Sequence, residues 1–532
     1  MITPHELAIL MPSTIPHAVL DLRERGAYER GHVFRATSLP RRLLELRLPE
    51  LVTARATPLV VYDEDGSLVE KAGPTLAAMG YTDVRPLAGG LGGWRAAGRP
   101  TVQGVNVPSK VFGERALQNL KTPQVAPHEL QERMRAGADM VIVDARTPEE
   151  YARGCIPGAW SVPGGELVLR IGDLVSRPET TVVVHCGGRT RSYIGAESLR
   201  RMRLPNPVVA LENGTMGWEL AGLPLERGAS RWAPPVSTRS RLAAAVAAKR
   251  VAVEDGVRFV TAADLRALRE RRDRQNVHVL DVRTLDEYRA GHIPGAIWAP
   301  GGQVVQATDD YLAVRAGSIV LVCDGLVRST LTASWLGRMG YPDVAALAGG
   351  MPAWVSADGP VEEGQPVATP FGWAEARAAV PRVPPAPIEG ATSINVDPSD
   401  VYARGHVPGA AWICRSRLEM RIEQAAPDRR TPIVVSCIDG QASTLAAATL
   451  LALGYAGVRV LDGGTRAWEA VGQPVERGAT RLLDDADDVV PKPYERGRAA
   501  MEAYLRWEEA LDQEGGSPHA LLPGLTRSGE PG

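Results

Sequence analysis

Short, continuously apolar runs rich in β-branched residues recur four times along the chain, at 59–62, 181–184, 319–322 and 433–436. Runs of this length favour strands of a parallel sheet that is buried on both faces. Each run is followed by a polar loop and by a stretch with helical character, three of which end at Gly80, Gly340 and Gly454. Alternating strands and helices predict three-layer α/β domains, each a mostly parallel sheet of about five strands with helices on both faces.

Two further signatures show that one unit is repeated four times. The first signature has the pattern Leu-x-(Gly or Asn)-Gly-x-x-x-Trp. It occurs at 87–94, 211–218, 347–354 and 461–468, and a proline follows each copy. The second joins an Asp-x-Arg-like triplet to a downstream Tyr and a Gly-His or Gly-Cys pair, at 21–32, 144–155, 281–292 and 395–406. Self-similarity of this kind indicates repeated domains.

The repeats predict four domains at 1–107, 121–229, 256–363 and 370–480, and a helical extension with a tail at 481–532. The segments at 108–120 and 237–253 read as helical connectors between domains. An amphipathic helix is expected at 493–513, and the Gly/Ser/Pro-rich residues after it are expected to be disordered.

Composition narrows the class of protein. A net charge of -2 over 532 residues provides no global field that would attract nucleic acid or an anionic membrane. Neither a signal peptide nor an apolar stretch of about 18 residues is evident, so we expect a cytoplasmic protein. The five cysteines are scattered without zinc-site spacing, which predicts neither a metal site nor a disulfide framework.

Three of the four apolar runs lead directly into a cysteine, at Cys186, Cys323 and Cys437, whereas the first leads into Asp63. A cysteine between a strand and a helix N-terminus faces loop amides and the positive end of the helix dipole, which favours its thiolate. The same cradle would stabilise a persulfide and would bind an anionic sulfur donor. The pattern therefore predicts covalent, two-step sulfur transfer.

With these motifs the chain resembles the rhodanese superfamily over nearly all of residues 1–480. The resemblance implies a tandem four-domain thiosulfate sulfurtransferase, which needs no cofactor and passes sulfane sulfur from thiosulfate or a similar donor to cyanide or a thiol. A related branch of the family has a longer Cys-x5-Arg loop and removes phosphate from proteins. Here 186–191 and 323–328 are Cys-x4-Arg, which favours sulfur chemistry, although a thiol phosphatase or arsenate reductase remains the alternative.

Loop charge ranks the candidate nucleophiles. Cys186 ranks first, with the substrate-binding candidates Gly187, Gly188, Arg189, Arg191 and Ser192. Cys323 ranks second, because Asp324 offsets Arg328; Arg328 and Ser329 are its binding candidates. Cys437 ranks third, because its loop has an acid and no arginine. The unit with Asp63 is expected to be inactive.

The remaining features have structural interpretations. Cys155 and Cys414 lie outside the loops, and a resolving role for Cys155 with Cys186 is a minor alternative. The Asp144/Arg146 and Asp281/Arg283 pairs are expected to be structural ion pairs, and each repeat tryptophan is expected to pack in the core. The degenerate first and fourth units also suggest a scaffold that binds a protein partner, an alternative that can coexist with catalysis.

Overall fold

Each apolar run forms the central strand of its own parallel sheet. In the computed structural model, which describes residues 1–511, unit 1 has a four-stranded sheet in the order β2-β1-β3-β4. Its strands are β1 (Ala18–Asp21), β2 (Thr37–Ser38), β3 (Leu59–Tyr62) and β4 (Val84–Pro86). Its helices are α1 (Pro4–Leu10), α2 (Arg25–Arg30), α3 (Leu44–Leu51), α4 (Ser67–Ala78) and α5 (Gly90–Ala96).

Unit 2 follows the connector helix α6 (Val107–Leu120) and has five parallel strands in the order β5-β9-β8-β6-β7. Its strands are β5 (Gln124–Val125), β6 (Met140–Asp144), β7 (Trp160–Ser161), β8 (Thr181–His185) and β9 (Val208–Leu211). Its helices are α7 (Pro127–Arg135), α8 (Pro148–Arg153), α9 (Leu167–Arg170), α10 (Thr190–Arg201) and α11 (Gly214–Leu220).

Unit 3 follows the connector helix α12 (Thr238–Glu254) and repeats this order as β10-β14-β13-β11-β12. Its strands are β10 (Arg258–Val260), β11 (Val277–Asp281), β12 (Ile297–Trp298), β13 (Ser318–Val322) and β14 (Val344–Leu347). Its helices are α13 (Ala262–Arg269), α14 (Leu285–Ala290), α15 (Gly301–Gln306), α16 (Thr308–Tyr311), α17 (Val327–Arg338) and α18 (Gly350–Ser356).

Unit 4 has the order β15-β19-β18-β16-β17 and leads into a C-terminal helix. Its strands are β15 (Arg382–Val383), β16 (Thr392–Asn395), β17 (Ala411–Trp412), β18 (Ile433–Ser436) and β19 (Val458–Leu461). Its helices are α19 (Trp373–Ala379), α20 (Ser399–Arg404), α21 (Leu418–Arg421), α22 (Gln441–Ala452) and α23 (Gly464–Ala470), and α24 (Arg498–Ala510) follows. The predicted disordered tail lies outside the described residues.

The predicted fold class is confirmed, because the central strands are buried between helical layers in all four units. In unit 2, apolar residues of β6, β8 and α10 pack together on one face of the sheet, and those of α7 and α11 pack on the other. The repeat tryptophans are buried as predicted, and their indole N–H groups donate to the carbonyl oxygens of Pro100, Pro224, Pro360 and Pro474. This bond gives the proline after each motif a role in closing the unit.

The four units form several interfaces, including one between units 1 and 3, where Asn276 Nδ2 donates to Thr57 Oγ1 at 2.7 Å. Units 2 and 3 contact each other through α9, α10, α12, α15 and α17, and the Trp335 indole donates to Ser198 Oγ at 2.9 Å. Units 1 and 4 meet through short 3-10 turns at Arg41–Leu43 and Arg415–Arg417, where the Arg42 amide donates to Ser416 Oγ at 3.0 Å. No helix in residues 1–511 has the length and apolar character needed to cross a bilayer.

Candidate functional site

Cys186 directly follows the central strand β8, and helix α10 begins four residues later. Its side chain is buried, and Sγ lies 3.6 Å from Ser192 Oγ in the first turn of α10. The Ser192 hydroxyl in turn lies 2.7 Å from the carbonyl oxygen of Arg189. The loop 187–189 thus wraps around the sulfur at the carboxyl end of the sheet, which is where the sequence predicted the site.

The Gly-containing turn of each repeat supports the nucleophile loop, a role that sequence reasoning missed. Asn213 and Gly214 both have positive φ, and α11 begins there. The amides of Thr215 and Met216 donate to the carbonyl oxygens of Cys186 and Gly187, at 2.8 and 3.0 Å. A Cβ on Gly214 would overlap the Cys186 carbonyl, so only glycine allows this approach. The second glycine of the motif was the signal available in the sequence.

The two arginines of the Cys186 loop have different surroundings. Arg191 lines a cavity beside the loop and forms a bidentate ion pair with Glu150, with N–O distances of 2.6 and 2.9 Å. Burial acts to raise the pKa of Glu150, but Arg191 outweighs burial and holds it at about 2. The Arg191 charge is therefore balanced by a permanent carboxylate.

Arg189 is held by residues outside unit 2. Its guanidinium forms two 2.7 Å bonds to Glu114 of α6, and further bonds of 2.8 Å to Glu509 of α24 and to Asn213 Oδ1. It is buried and is not among the residues that line the cavity. The sequence suggested that Arg189 adds free positive charge for a donor. In the structure its charge is balanced by two glutamates, and the residue links both helices to the loop.

The glutamate that pairs with the loop arginine has a signal in the sequence. Glu150 is the fourth residue of a Thr-x-x-Glu capping box at the start of α8, and Glu287 occupies the same place in α14. In the units whose loops lack the arginine, the aligned residues are Ala27 and Val401. The acid therefore occurs only together with the arginine.

Cys323 is the corresponding residue of unit 3, and its Sγ lies 3.1 Å from Ser329 Oγ. Arg328 contacts three carboxylates: Glu166 of unit 2 at 2.8 Å, Glu287 at 2.6 Å and Asp324 at 2.7 Å. Burial raises the pKa of the Cys323 thiol, and the Ser329 hydroxyl and Arg328 oppose it only in part. Two of these carboxylates have a second cation, since Arg170 pairs with Glu166 at 2.8 Å and Arg241 pairs with Asp324 at 2.5 Å.

Cys437 of unit 4 has hydrogen-bond partners but no cation. Its Sγ accepts from the Ser443 amide at 3.3 Å and lies 3.6 Å from Asp439 Oδ1. Burial, followed by the charge of Asp397, raises the pKa of this thiol to about 11. A protonated thiol at neutral pH is a poor nucleophile.

Asp63 places a carboxylate in the corresponding cradle of unit 1. Its oxygens accept hydrogen bonds from the backbone amides of Gly66, Leu68 and Val69, the last at 3.1 Å. Neighbouring Glu64 forms ion pairs with Arg23 at 2.9 Å and with Arg95 at 2.6 Å. The amides of this loop therefore form an anion-binding site that the protein's own carboxylate fills.

The two other cysteines are buried structural residues in the described chain. Cys155 replaces a histidine that stacks on a tyrosine in the other units, and burial raises its pKa to about 11. Cys414 lies at the interface of units 1 and 4, where Sγ is 3.2 Å from Glu24 Oε1. The predicted Asp144–Arg146 ion pair is confirmed, at 2.6 Å and buried beneath the loop.

Comparison with known proteins identifies the family. The family model of the rhodanese-like domain matches residues 3–97, 126–221, 264–357 and 387–471. A crystal structure of thiosulfate sulfurtransferase from Pseudomonas aeruginosa is 39% identical, with a TM-score of 0.91, and the match covers 99% of both chains. This similarity includes the arrangement of all four units.

Curated relatives match single units. A sulfurtransferase of Allochromatium vinosum is 29% identical over 102 residues, which are 19% of this chain and 92% of that protein. The HTH-type transcriptional regulator Rv0324 of Mycobacterium tuberculosis is 36% identical over 102 residues, which are 19% of this chain. The match spans only 43% of the regulator's length. With four family matches and a full-length structural relative, the chain belongs to the rhodanese-like domain family of sulfurtransferases.

Proposed function

We propose that the chain is a thiosulfate sulfurtransferase and that Cys186 carries the sulfur as a persulfide. The observation that supports this most directly is the anion-binding cradle of unit 1. There a carboxylate accepts three backbone amides at the position that Cys186 takes in unit 2. A persulfide on Cys186 would extend its terminal sulfur anion into the equivalent loop 187–192, where amides and the N-terminus of α10 stabilise negative charge.

The reaction has two steps with balanced atoms and charge. The Cys186 thiolate attacks the sulfane sulfur of thiosulfate, the S–S bond of the donor breaks, and sulfite leaves with its electron pair. The enzyme then holds Cys186–S–S⁻. In the second step, cyanide or a thiolate attacks the outer sulfur, and the Cys186 thiolate is regenerated. Neither step needs a cofactor.

We assign different roles to the two arginines of the loop. Arg191 lines the cavity, so it would orient the donor anion, and Glu150 fixes the direction of its guanidinium. Arg189 would act as a positioning residue, since it joins α6 and α24 to the loop. Gly187 and Gly188 also line the cavity, and Ser192 would stabilise the sulfur anion.

Intact-protein mass spectrometry after treatment with thiosulfate, followed by peptide mapping, tests this proposal. We expect the mass of one added sulfur atom on the peptide that contains Cys186, and none there in the Cys186→Ser variant. A persulfide only on Cys437 would contradict the site assignment. Turnover of p-nitrophenyl phosphate without persulfide formation would instead favour the phosphatase alternative.

A further inference from the structure

The Cys186 loop opens into a cavity of about 810 Å³ that unit 2 does not form alone. Unit 2 supplies Gly187, Gly188 and Arg191 beside the nucleophile. The other walls come from α2 of unit 1, the start of α6, the α15–α16 region of unit 3 and residues 490–507. This volume falls in the range of organic ligand sites, and thiosulfate would fill only a small part of it.

Basic groups outnumber acidic groups in the lining of the cavity. The basic residues are Arg25, Arg30, Lys110, Arg191, Lys492 and Arg496, and the acidic residues are Glu29, Glu150 and Asp310. The acids are engaged with three of the cations, through Arg25–Asp310 at 2.9 Å, Arg496–Glu29 at 2.7 Å and Arg191–Glu150 at 2.6 Å. Of the other three, Arg30 pairs with Asp487 at 3.4 Å and Lys110 pairs with Glu508 at 3.6 Å, which leaves Lys492 as the lining cation without a carboxylate partner among the described residues.

Lys492 is the clearest unbalanced cation. It lines the cavity, and among the described residues no carboxylate lies within ion-pair distance of its ammonium group. Desolvation, together with Arg191, Lys110 and Arg25, lowers the pKa of Lys492, and Glu150 opposes them. Cations from unit 1, α6, unit 2 and the C-terminal segment thus act on one another across this space.

The cavity also has an apolar wall formed by the C-terminal segment. Tyr494, Tyr504 and Trp507 line it together with Met216 of unit 2. Tyr504 and Met216 also approach Gly188 of the nucleophile loop, so the apolar wall reaches the reacting centre. A ligand in the cavity would bind more tightly if it had hydrocarbon surface near the sulfur and negative charge farther away.

We propose that this cavity binds the sulfur acceptor, and that the acceptor is an organic thiol carrying at least one carboxylate. The inference rests on the proposed function, because it needs a persulfide on Cys186. The thiol loses its proton to solvent and its thiolate attacks the outer sulfur. The bond from that sulfur to Cys186 Sγ breaks, the electron pair returns to Cys186, and the acceptor leaves as an organic persulfide.

The test is a single-turnover measurement on full-length protein that has been loaded with sulfur by thiosulfate and then desalted. Mercaptosuccinate is the dianionic probe, 2-mercaptoethanol the neutral probe and cysteamine the cationic probe. The rate at which each thiol removes the persulfide is followed by mass spectrometry. Each rate is divided by the fraction of thiolate at the assay pH, since the thiolate is the attacking species. We expect mercaptosuccinate then to have the largest second-order rate constant, and added salt to lower its rate more than that of 2-mercaptoethanol.

Lys492→Gln tests the charge directly. We expect the ratio of the mercaptosuccinate rate to the 2-mercaptoethanol rate to fall by about tenfold, as for loss of one charge-assisted hydrogen bond. Lys249→Gln, which removes an exposed lysine of α12 away from the cavity, is the matched control and should leave the ratio unchanged. A role of Lys492 in folding alone would lower both rates equally.

The outcomes separate the two proposals. If thiosulfate leaves no persulfide on Cys186, the proposed function fails. If the persulfide forms and cyanide removes it, but the neutral or cationic thiol reacts as fast as mercaptosuccinate, only the acceptor proposal is overturned. An unchanged rate ratio in Lys492→Gln, with the dianionic preference intact, would overturn the assignment of Lys492.

Discussion

Units 1 and 2 have the same fold and the same strand–loop–helix at the carboxyl end of the sheet. The loop of unit 1, however, begins with a carboxylate, and the loop of unit 2 begins with a thiol. In unit 1 the Asp63 carboxylate accepts three amide bonds and fills the cradle. In unit 2 the corresponding residue is Cys186, and the loop faces a large cavity. The comparison indicates that the loop of this fold is an anion-binding site. Which anion it holds depends on the residue at the end of the strand.

The pair also shows how a unit without a nucleophile can contribute to the site of another. Arg25 and Arg30 of unit 1 line the cavity beside the Cys186 loop, and Arg25 is fixed by Asp310 of unit 3. Unit 1 therefore supplies part of the cavity wall, while Asp310 and Asp487 balance the charges of these two arginines. Its own cradle is already filled by the Asp63 carboxylate.

The largest expected effect comes from replacing Cys186, compared with replacing the corresponding cysteine of unit 3. Cys186→Ser should lower thiosulfate:cyanide turnover by more than about 100-fold, because serine cannot form a persulfide. Cys323→Ser should lower it by less than about twofold. Thiocyanate formation is the measurement. Cys155→Ser, which replaces a buried cysteine outside the loops, is the control for folding. Full activity in the Cys186→Ser variant would refute the comparison.

Asp63→Ala should destabilise unit 1, since three amide donors lose their buried acceptor. We expect a loss of about 2 kcal/mol, which is typical of removing a charged hydrogen-bond acceptor. Thermal unfolding, together with hydrogen exchange of α4 amides, provides the measurement. Asp63→Asn retains one carbonyl oxygen and should lose less. If both variants melt like the parent protein, the carboxylate does not stabilise the cradle.

The pH dependence of Cys437 extends the comparison to a loop that has a thiol but no arginine. Its pKa of about 11 means that the thiol stays protonated at neutral pH, and the reactive anion appears only as the pH rises toward 11. Iodoacetamide labelling of Cys437 should therefore increase about tenfold per pH unit between pH 7 and 10. Asp397→Asn should speed labelling at pH 8, since it removes a repulsive charge. A plateau below pH 9 would contradict this assignment.

A smaller effect is expected from the carboxylates that contact Arg328. Glu287→Gln removes one of its three carboxylates, which leaves more positive charge near Cys323. We expect sulfur loading of Cys323 from thiosulfate to become about threefold faster. Peptide mapping at short reaction times measures the rate. Glu363→Gln changes an exposed glutamate and is the matched control. Slower loading in Glu287→Gln would show that the acid instead positions Arg328.

The fold could be predicted from the sequence because its signals are local. Strand length, the glycine after a helix and the repeated motifs act over a few residues, and the connector expected at 237–253 is observed at Thr238–Glu254. The site could be predicted only in part. The position of Cys186 follows from the end of its strand. The Glu114 and Glu509 partners of Arg189 come from helices distant in the chain.

Glu150 and Glu287 are an intermediate case. Their capping boxes are visible in the sequence, but the same pattern has a complete local explanation as a helix start. Only the spatial proximity of the helix start to the loop shows that the carboxylate also pairs with Arg191 or Arg328. The charge of the residues in a loop therefore differs from the charge of all the groups that surround its sulfur in space.

The sequence by itself determined the fourfold repeat, the parallel α/β fold and the residue that ends each central strand. These depend on periodicity and turn chemistry, which neighbouring residues specify. The tertiary structure alone decided which arginine faces the cavity, how each loop is neutralised, and that four other parts of the chain join unit 2 in enclosing the space beside Cys186. Electrostatic interactions and cavity walls depend on distance in space, and packing brings together groups that the sequence keeps hundreds of residues apart.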